Sequence, residues 1–394
     1  MAAPEAHRTG KLAGFRVLDL ASVGPAARCT RILADYGADV VKIGPVAKKA
    51  GKQIRPPFFS YGAGRGMRRI QIDLKAPEGR EALLDLTKQA DVLIESFRPG
   101  VAERLGIGYE AVRAVNPRIV YCSTSGYGQD GPYAQWAGHD INYLALGGFL
   151  HCSTPRADGG APIPGATVAD SAAGGMHAAI AILTALLARG DDGEGTHLDV
   201  SVAEGVLQLM SLHVDEQLAT GAEPGPGSNI LTGRYACYDV YRAKDGKWLA
   251  VGAIEPAFYA NLCRALGCDA LVPHQLDDAR QDEIRAAFAA AFATQDRDAW
   301  VAELAPADTC VAPVYAVSEL VDDPHYVARG AFAEAKDAAH GTFRQTGPVL
   351  AGATRPVPVH EVAPAEHTDT DAVLREAGIG DERIARLRSA GVVE

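Results

Sequence analysis

Three short segments of this sequence carry ionisable side chains where an apolar run meets a turn. They contain His139-Asp140, Asp170 and Glu255. A buried charge is costly unless it is paired or used, so these positions are candidates for chemistry. Histidine accepts and returns a proton near pH 7. A histidine and an aspartate on opposite sides of one carbon could move its proton both ways, which is the chemistry of a racemase or epimerase.

Each of these residues also fits a purely structural role. Asp170 stands just before a long alanine-rich segment, where Asp is a favoured N-cap residue of a helix. Asp140 could cap the helix that follows it, and His139 could bond nearby backbone. Glu255 precedes a proline, which suits a first helical position, so it could cap a helix or orient an imidazole. From the residues alone, both sets of roles stay open.

Two arginines are candidates for binding an anionic ligand. Arg98 and Arg104 follow a predicted apolar strand, and open α/β sheets bind ligands beyond the carboxyl ends of their strands. The guanidinium group suits phosphate oxygens. Lys42, Arg68 and Arg69 are expected to extend the same basic patch. A solvated surface arginine is an equally good explanation of Arg98 and Arg104.

The elements that must position these residues alternate between strand and helix. Strands are predicted at Phe15–Leu20, Ala38–Ile43, Ile70–Leu74, Asp91–Glu95, Ile119–Ser123 and His197–Val202, and helices at Ala26–Tyr36, Pro77–Gln89, Asp170–Arg189 and Ala203–Leu218. Consecutive βαβ units imply a parallel sheet. The sequence therefore predicts an α/β protein with a Rossmann-like large domain. The helix that begins at Asp170 is too apolar for a surface helix and is expected in the core.

The character of the sequence changes after residue 219, where the predicted large domain ends. Residues 220–232 are rich in glycine and proline and are predicted to form a linker. A hairpin signal at Lys244–Lys247, followed by three helical segments, predicts a smaller α+β domain at 233–330. Residues 331–394 are predicted to return and pack on the large domain.

The composition excludes several classes of protein. The net charge of −11 argues against a nucleic-acid partner. Seven scattered cysteines without metal-type spacing predict a reduced, cytoplasmic protein with no structural metal. We expect neither a signal peptide nor a membrane span. The first βα turn lacks the G-x-G-x-x-G pattern, which disfavours a nicotinamide dehydrogenase.

Longer stretches resemble the family III CoA-transferases (the CaiB/BaiF superfamily), and within them the α-methylacyl-CoA racemase branch. The resembling stretches are Leu33–Ile43, Arg98–Gly106, Gly126–Tyr133 and the tail Glu366–Val393. Racemases of this family carry a GHD-I/L-N-Y motif, which matches Gly138–Tyr143. They also carry a Gly-Ala-Ile-Glu-Pro segment, which matches Gly252–Pro256.

The resemblance implies roles for the candidate catalytic residues, which are His139, Asp170, Glu255 and Asp140. An aspartate matching Asp170 is expected in both branches, and in the transferases it is the nucleophile that accepts the acyl group. The transferases usually lack the histidine that matches His139. This histidine therefore decides between the branches, and its presence favours the racemases.

The resemblance also implies an assembly and a ligand. Two subunits would interlock as a homodimer, with the active site between the large domain of one and the small domain of the other. The CoA moiety of an acyl-CoA substrate, the only cofactor expected, would lie near Arg98, Arg104, Lys42, Ile72 and Leu74. The leading hypothesis is an acyl-CoA 2-epimerase acting on 2-methyl-branched thioesters. The alternatives are a CoA-transferase and a binding protein that has lost its chemistry.

Overall fold

A computed structural model describes residues 10–21, 23–47, 64–190, 193–348, 359–364 and 367–394. Glu366, the first residue of the tail that resembles the family, therefore lies outside the described residues. The strands are β1 Arg16–Asp19, β2 Asp39–Gly44, β3 Arg68–Gln71, β4 Val92–Glu95, β5 Val120–Ser125, β6 Thr196–Ser201, β7 Tyr238–Arg242, β8 Trp248–Gly252, β9 Val311–Pro313, β10 Phe332–Asp337, β11 Gly341–Thr346 and β12 Val359–Glu361.

The α-helices follow the same alternation in the first half of the chain. They are α1 Gly24–Asp35, α2 Pro77–Thr87, α3 Val101–Leu105, α4 Tyr109–Val115, α5 Asp140–Leu146, α6 Phe149–Cys152, α7 His177–Arg189, α8 Val202–Leu209, α9 Ser211–Thr220, α10 Pro256–Ala265, α11 Gln281–Phe292, α12 Arg297–Leu304, α13 Val317–Leu320, α14 Pro324–Ala328, α15 Thr370–Glu376 and α16 Asp381–Ser389. A π-helix, Ala169–Met176, leads directly into α7.

The central element is a parallel sheet of six strands in the order β3-β2-β1-β4-β5-β6. This is the strand order of a doubly wound nucleotide-binding fold, in which ligands bind beyond the carboxyl ends of the strands. The predicted α/β protein with a large parallel sheet is therefore confirmed. The interlocked dimer stays a prediction of the sequence.

Alternate residues of the strands feed two separate cores, because side chains of a strand point to opposite faces of the sheet. Leu18, Leu93 and Tyr121 pack on one face with α2 and the C-terminal helices α15 and α16. Val17, Val92 and Val120 pack on the other face with α1 and α7. Both faces of the sheet are covered, as is typical of parallel sheets.

The chain divides into two compact units. The first comprises Met1–Gly147, Pro164–Ser211 and His325–Glu394, and the second comprises Gly148–Ile163 and Leu212–Pro324. The second unit has its own core, built on the antiparallel strands β7, β8 and β9 and on helices α10, α11 and α12. The predicted hairpin at Lys244–Lys247 joins β7 to β8. The predicted domain limits at 219 and 330 stay a prediction.

The segment from Ala169 to Arg189 differs from its prediction in two ways. Its first eight residues are π-helical, and its apolar side chains are not all in the core: Ile180 is 63% and Leu187 is 84% exposed in the single chain. By length and composition, this is the one helix among the described residues that could cross a membrane, whereas the sequence predicted none. That indication is weak, because the core helix of a soluble protein meets the same criteria.

Candidate active site

His139 occupies the N-cap position of helix α5, directly after the glycine-rich loop that follows β5. Its backbone N–H donates to Asn142 Oδ1 at 3.0 Å, and its carbonyl accepts the N–H of Asn142 at 2.8 Å. These two bonds fix the backbone of His139. The side chain is exposed in the single chain, so the imidazole is available for a ligand.

Tyr143 ties the start of α5 to the loop after β5. Its hydroxyl donates to the carbonyl of Gly138 at 2.7 Å, and its ring lies where a Cβ on Gly126 or Gly138 would come within 2.7 Å. Only glycine allows this close approach on both sides of the ring. Burial, followed by the charges of nearby acidic groups, raises the pKa of Tyr143 to about 12. The phenol therefore stays neutral and holds the loop that presents His139.

Asp140 connects the two candidate bases. Its Oδ1 accepts the backbone N–H of Asp170 at 2.8 Å, although the two residues are 30 positions apart in the chain. Asp140 thus braces the π-helix that carries Asp170, rather than capping its own helix. Because His139 directly precedes Asp140 in the chain, this bond brings the start of α5 and the Asp170 segment together. The sequence prediction that these segments form one site is consistent with this geometry.

Asp170 is the second residue of the π-helix and is partly buried. Burial raises the pKa of its carboxyl group above the ordinary value, and the nearby charge of Asp140 raises it further. Arg28 and His139 lower the pKa and so oppose this effect. Within the described ranges, no donor forms a hydrogen bond with the Asp170 carboxylate. An acid that is shifted toward neutral pH and left without a bonded partner can exchange a proton.

Glu255 lies in the second compact unit, at the N-cap of α10. Its side chain is exposed and makes no capping hydrogen bond, while its carbonyl accepts the N–H of Tyr259 at 3.0 Å. Gln275 braces the turn before it by donating to the carbonyls of Ala253 and Ile254. The carboxylate is therefore free for another partner, but its predicted pairing with His139 stays a prediction.

Arg98 and Arg104 flank one tight turn in the first unit. Gly100, at a φ of +82°, forms the N-cap of α3, and a Cβ there would lie 3.2 Å from Arg104 Nη1. Arg104 therefore folds back over the turn that carries Arg98. Both guanidinium groups are exposed and form no ion pair with any described residue. They meet the requirements for binding a phosphate group.

Glu95 supports the same turn from below. It ends β4, is 3% exposed, and its Oε2 accepts the N–H of Phe97 at 2.6 Å. Burial raises the pKa of this carboxyl group to about 7, against the lowering effect of its hydrogen bonds to Ser123 and Phe97. Ser123 Oγ in turn lies 3.0 Å from Nε2 of His197. A polar network therefore runs from the carboxyl end of β4 through Ser123 in β5 to His197, near the start of β6.

The other predicted CoA-binding residues have structural roles. Lys42 Nζ lies 2.7 Å from the fully buried carboxylate of Asp19, so its charge is already paired. Arg68 pairs with Asp39 and Glu376. Carboxylates thus take up the charges of Lys42 and Arg68, and the predicted contact of this basic patch with CoA stays a prediction.

Ile72 and Leu74 are predicted to lie near CoA, and this stays a prediction. The side chain of Ile72 is 1% exposed and belongs to the core that includes Leu18 and Leu93, so it offers a ligand almost no side-chain surface in the single chain. Leu74 packs against the same core and is only partly buried. Both residues follow β3, and the Ile72 N–H is bonded to the carbonyl of Gly44 at 2.9 Å. Of the two, only Leu74 retains side-chain surface that a ligand could meet.

Among the described residues, no group of three or more His, Cys, Asp or Glu side chains could hold a metal ion.

A family model described as CoA-transferase family III matches residues 12–370, which include every candidate site residue. The chain belongs to CoA-transferase family III.

Individual members of the family match almost the whole chain. Alpha-methylacyl-CoA racemase of Homo sapiens is 35% identical over 384 residues, which is 97% of each protein. Succinyl-CoA–D-citramalate CoA-transferase of Chloroflexus aurantiacus is 28% identical over 396 residues, 96% of this chain and 97% of that protein. The crystal structure of a CAIB/BAIF family protein from Brucella suis has a TM-score of 0.75 at 26% identity, covering 93% of this chain and 99% of that one.

These matches support an enzyme that acts on CoA thioesters. They include proteins named as racemases and proteins named as CoA-transferases. Sequence reasoning did not single out two charged residues that the structure places beside the candidate residues, Glu95 near Arg98 and Arg28 near Asp170. Glu95 ends an otherwise apolar strand, which is a signal that it faces the ligand edge of the sheet. Arg28 lies in the first helix after β1 and carries no such signal, because its partners Thr167 and Ser171 are about 140 residues away.

Proposed function

We propose that the protein is an acyl-CoA 2-epimerase that interconverts (2R)- and (2S)-2-methylacyl-CoA thioesters. One observation carries the proposal: His139 and Asp170, two groups able to exchange protons, are joined through the bond from Asp170 N–H to Asp140. Neither side chain is paired with another described residue. The racemase relative at 35% identity supports the same reaction.

The chemistry follows from the thioester. A thioester acidifies the proton on its α-carbon, because the carbanion is stabilised as an enolate. His139 removes this proton from one face while Asp170 delivers a proton to the other face, and the two exchange roles in the reverse direction. Positioned general acids and bases contribute about 10²–10⁴ in rate. The raised pKa of Asp170 favours a carboxyl group that can give up a proton and take it back.

The enolate oxygen needs hydrogen-bond donors, which supply much of the remaining rate. The sequence pointed first to the start of the Asp170 helix, but Asp140 already accepts the N–H of Asp170. The better candidates are the N–H groups of Asp140 and Ile141 at the start of α5. Neither has an acceptor among the described residues, and the start of a helix favours negative charge.

CoA itself would be held by Arg98 and Arg104, whose free guanidinium groups suit its phosphates. No further cofactor is required, since proton transfer at a thioester α-carbon needs neither metal nor redox chemistry. Cytoplasmic location remains part of the proposal and rests only on cysteine usage.

We extend the proposal to an interlocked homodimer in which Glu255 of the partner subunit orients the imidazole of His139. The exposed apolar face of Met176, Ile180 and Leu187 supports a subunit contact. A mixture of His139→Ala and Glu255→Ala subunits tests it. One site of the heterodimer would carry both changes and the other neither, so refolded mixtures should regain activity. A heterodimer that forms and stays inactive contradicts the shared site.

A CoA-transferase is the second candidate, favoured by the unpaired carboxylate of Asp170. In that reaction the carboxylate attacks the thioester carbonyl, the C–S bond breaks, and a mixed anhydride forms as the CoA thiolate leaves. Incubation of an acyl-CoA panel in D₂O separates the two functions. The epimerase incorporates α-deuterium with no carboxylic acid added, whereas the transferase exchanges CoA only when an acceptor acid is present. Absence of α-deuterium across the panel overturns the epimerase.

A further inference from the structure

Arg28 reaches from helix α1 to both sides of Asp170. Its Nε donates to Ser171 Oγ at 2.9 Å, and its Nη2 donates to Thr167 Oγ1 at 2.9 Å. Ser171 is the next residue after Asp170, and Thr167 lies three residues before it. One guanidinium group therefore holds the chain on both sides of the candidate acid. The planar, rigid fork of arginine suits two such bonds, whereas the flexible stem of a lysine would hold its donors less firmly.

The packing around this contact is unusually close. A Cβ on Gly175 would lie 2.8 Å from the Cβ of Arg28, and a Cβ on Gly174 would lie 2.6 Å from the Cβ of Pro25. The two glycines thus let the backbone of α1 lie directly against the π-helix. Single π-helical turns occur frequently at functional sites. Here the π-helix carries Asp170, and Arg28 bonds Thr167 just before it and Ser171 within its first turn.

The charged and titratable groups around Asp170 come from several elements. Arg28 on α1 and His139 at the start of α5 favour the ionised carboxylate, whereas Asp140 opposes it. Tyr143 on α5 is neutral near pH 7, since its pKa is raised. Helix α8 also packs on the π-helix, and its one ionisable residue, Glu204, is exposed. Of the described groups that act on the Asp170 carboxylate, Arg28 is thus the one permanent cation.

We propose that Arg28 is a positioning residue that fixes the Asp170 segment. As a nearby cation, it also keeps the carboxyl group able both to take up and to release the substrate proton. The inference rests on the proposed epimerase for its kinetic consequences. It goes beyond that function in naming a residue that does not touch the reacting carbon. Without Arg28, burial and Asp140 would act on Asp170 with only His139 to oppose them.

Three variants separate the charge of Arg28 from its hydrogen bonds. Arg28→Met removes both, Arg28→Lys keeps the charge, and the double change Thr167→Ala/Ser171→Ala removes the hydroxyl acceptors. We expect Arg28→Met to raise the pKa of Asp170, because a nearby opposite charge lowers the pKa of a carboxyl group. Arg28→Lys should leave the pKa nearly unchanged and lower kcat, as should the double change.

The matched control is Arg31→Met, on the same helix. Arg31 pairs with Asp35 at 2.9 Å and forms no hydrogen bond or ion pair with the described residues of the Asp170 segment, so its loss should leave the titration and kcat unchanged. The titration of Asp170 is read as the infrared difference between each protein and its Asp170→Asn form. This measurement needs no turnover, and the pH profiles of kcat/KM for the two epimers supply the kinetic readout.

The outcomes distinguish this inference from the proposed function. If Arg28→Met shifts the titration of Asp170 and the wild-type protein catalyses no epimerisation, the role of Arg28 is supported and the epimerase is overturned. Normal epimerisation with an unmoved titration in Arg28→Met overturns the role of Arg28. A rise in KM for acyl-CoA, with kcat and the titration unchanged, also overturns it, since Arg28 would then bind the substrate. If Arg28→Met does not fold, an unchanged kcat in both Arg28→Lys and the double variant overturns the role.

Discussion

Two aspartates near helix α1 have opposite surroundings. Asp19, at the end of β1, is fully buried and accepts hydrogen bonds from Ala21 N, Thr30 Oγ1 and Lys42 Nζ at 2.7–2.8 Å. We call this group the closed cluster. Asp170 and its neighbours His139 and Asp140 form the open cluster, in which the Asp170 carboxylate has no bonded donor among the described residues.

The difference shows how to separate structural from chemical charge in this fold. In the closed cluster, both oxygens of the buried carboxylate accept hydrogen bonds, so the anion is paired within the fold. In the open cluster, hydrogen bonds fix the backbone, and the ionisable side chains stay free. Proximity to a strand end is therefore a weaker sign of function than an unpaired ionisable side chain on a well-fixed backbone.

The largest expected effect comes from removing a base of the open cluster. His139→Ala and Asp170→Asn should each lower kcat for epimerisation by about a thousandfold, the contribution expected of a positioned acid or base. Binding of CoA should persist, because the phosphates contact other residues. Steady-state kinetics and equilibrium binding of CoA measure the two quantities. Near-normal epimerisation by His139→Ala would show that the open cluster has been assigned wrongly.

The closed cluster should respond in stability rather than in turnover. Lys42→Met leaves the buried charge of Asp19 without its cation and should lower the free energy of unfolding by about 3 kcal/mol. The KM for acyl-CoA should change little if Lys42 makes no contact with CoA. Urea denaturation and steady-state kinetics test both statements. An unchanged midpoint with a strongly raised KM would return Lys42 to the ligand site.

Glu95 is an intermediate case, because it is buried like Asp19 yet has a pKa of about 7. Between its unfolded pKa of about 4.3 and pH 7, the folded protein holds a proton that the unfolded chain has released. Stability from this group is therefore present at low pH and is lost as the pH rises through 7. Glu95→Gln should remove this loss and raise the free energy of unfolding at pH 8 by up to about 3 kcal/mol.

The check on Glu95 is its pH dependence. Urea midpoints of the wild type and of Glu95→Gln should converge near pH 5 and separate at pH 8, with the variant more stable. A variant that is less stable at pH 8 would show that the ionised carboxylate stabilises the turn at Phe97, as Asp19 stabilises its own cluster.

The smallest effects are expected at the ligand turn. Arg98→Ala and Arg104→Ala should each raise KM about tenfold, the value of one charged hydrogen bond, with little change in kcat. The phosphates of CoA are remote from the reacting carbon, so ground state and transition state lose the same contact. Added salt should weaken binding further in the wild type than in the variants. A fall in kcat at constant KM would place these arginines in the chemistry.

The parallel sheet and the hairpin of the second unit were predictable because their signals are local. Apolar runs of four to six residues mark the strands, and Lys244–Lys247 marks a turn. The pairing of Asp19 with Lys42 was not predictable in the same way. The two residues lie opposite each other in the register of β1 and β2, and register depends on the packed sheet rather than on either strand.

The candidate catalytic residues were predictable from motifs, and their local geometry was not. The sequence placed Asp170 at a helix N-cap, whereas the structure places it inside a π-helix. This π-helix packs closely against Pro25 and Arg28 of α1. The bond from Asp170 to Asp140 spans 30 residues and leaves no local signal. Such tertiary contacts override the local preference for an ordinary helix start.

The central claim is proton exchange by two bases. The hydrogen isotope on the α-carbon of the product after one turnover tests it most directly. A single epimer of a 2-methylacyl-CoA is incubated in D₂O without an acceptor acid, and early product and remaining substrate are analysed by mass. Two bases on opposite faces predict that the epimerised product carries α-deuterium from the start, while unreacted substrate still carries protium. Product that retains its protium, or no epimerised product until an acceptor acid is added, would contradict the account.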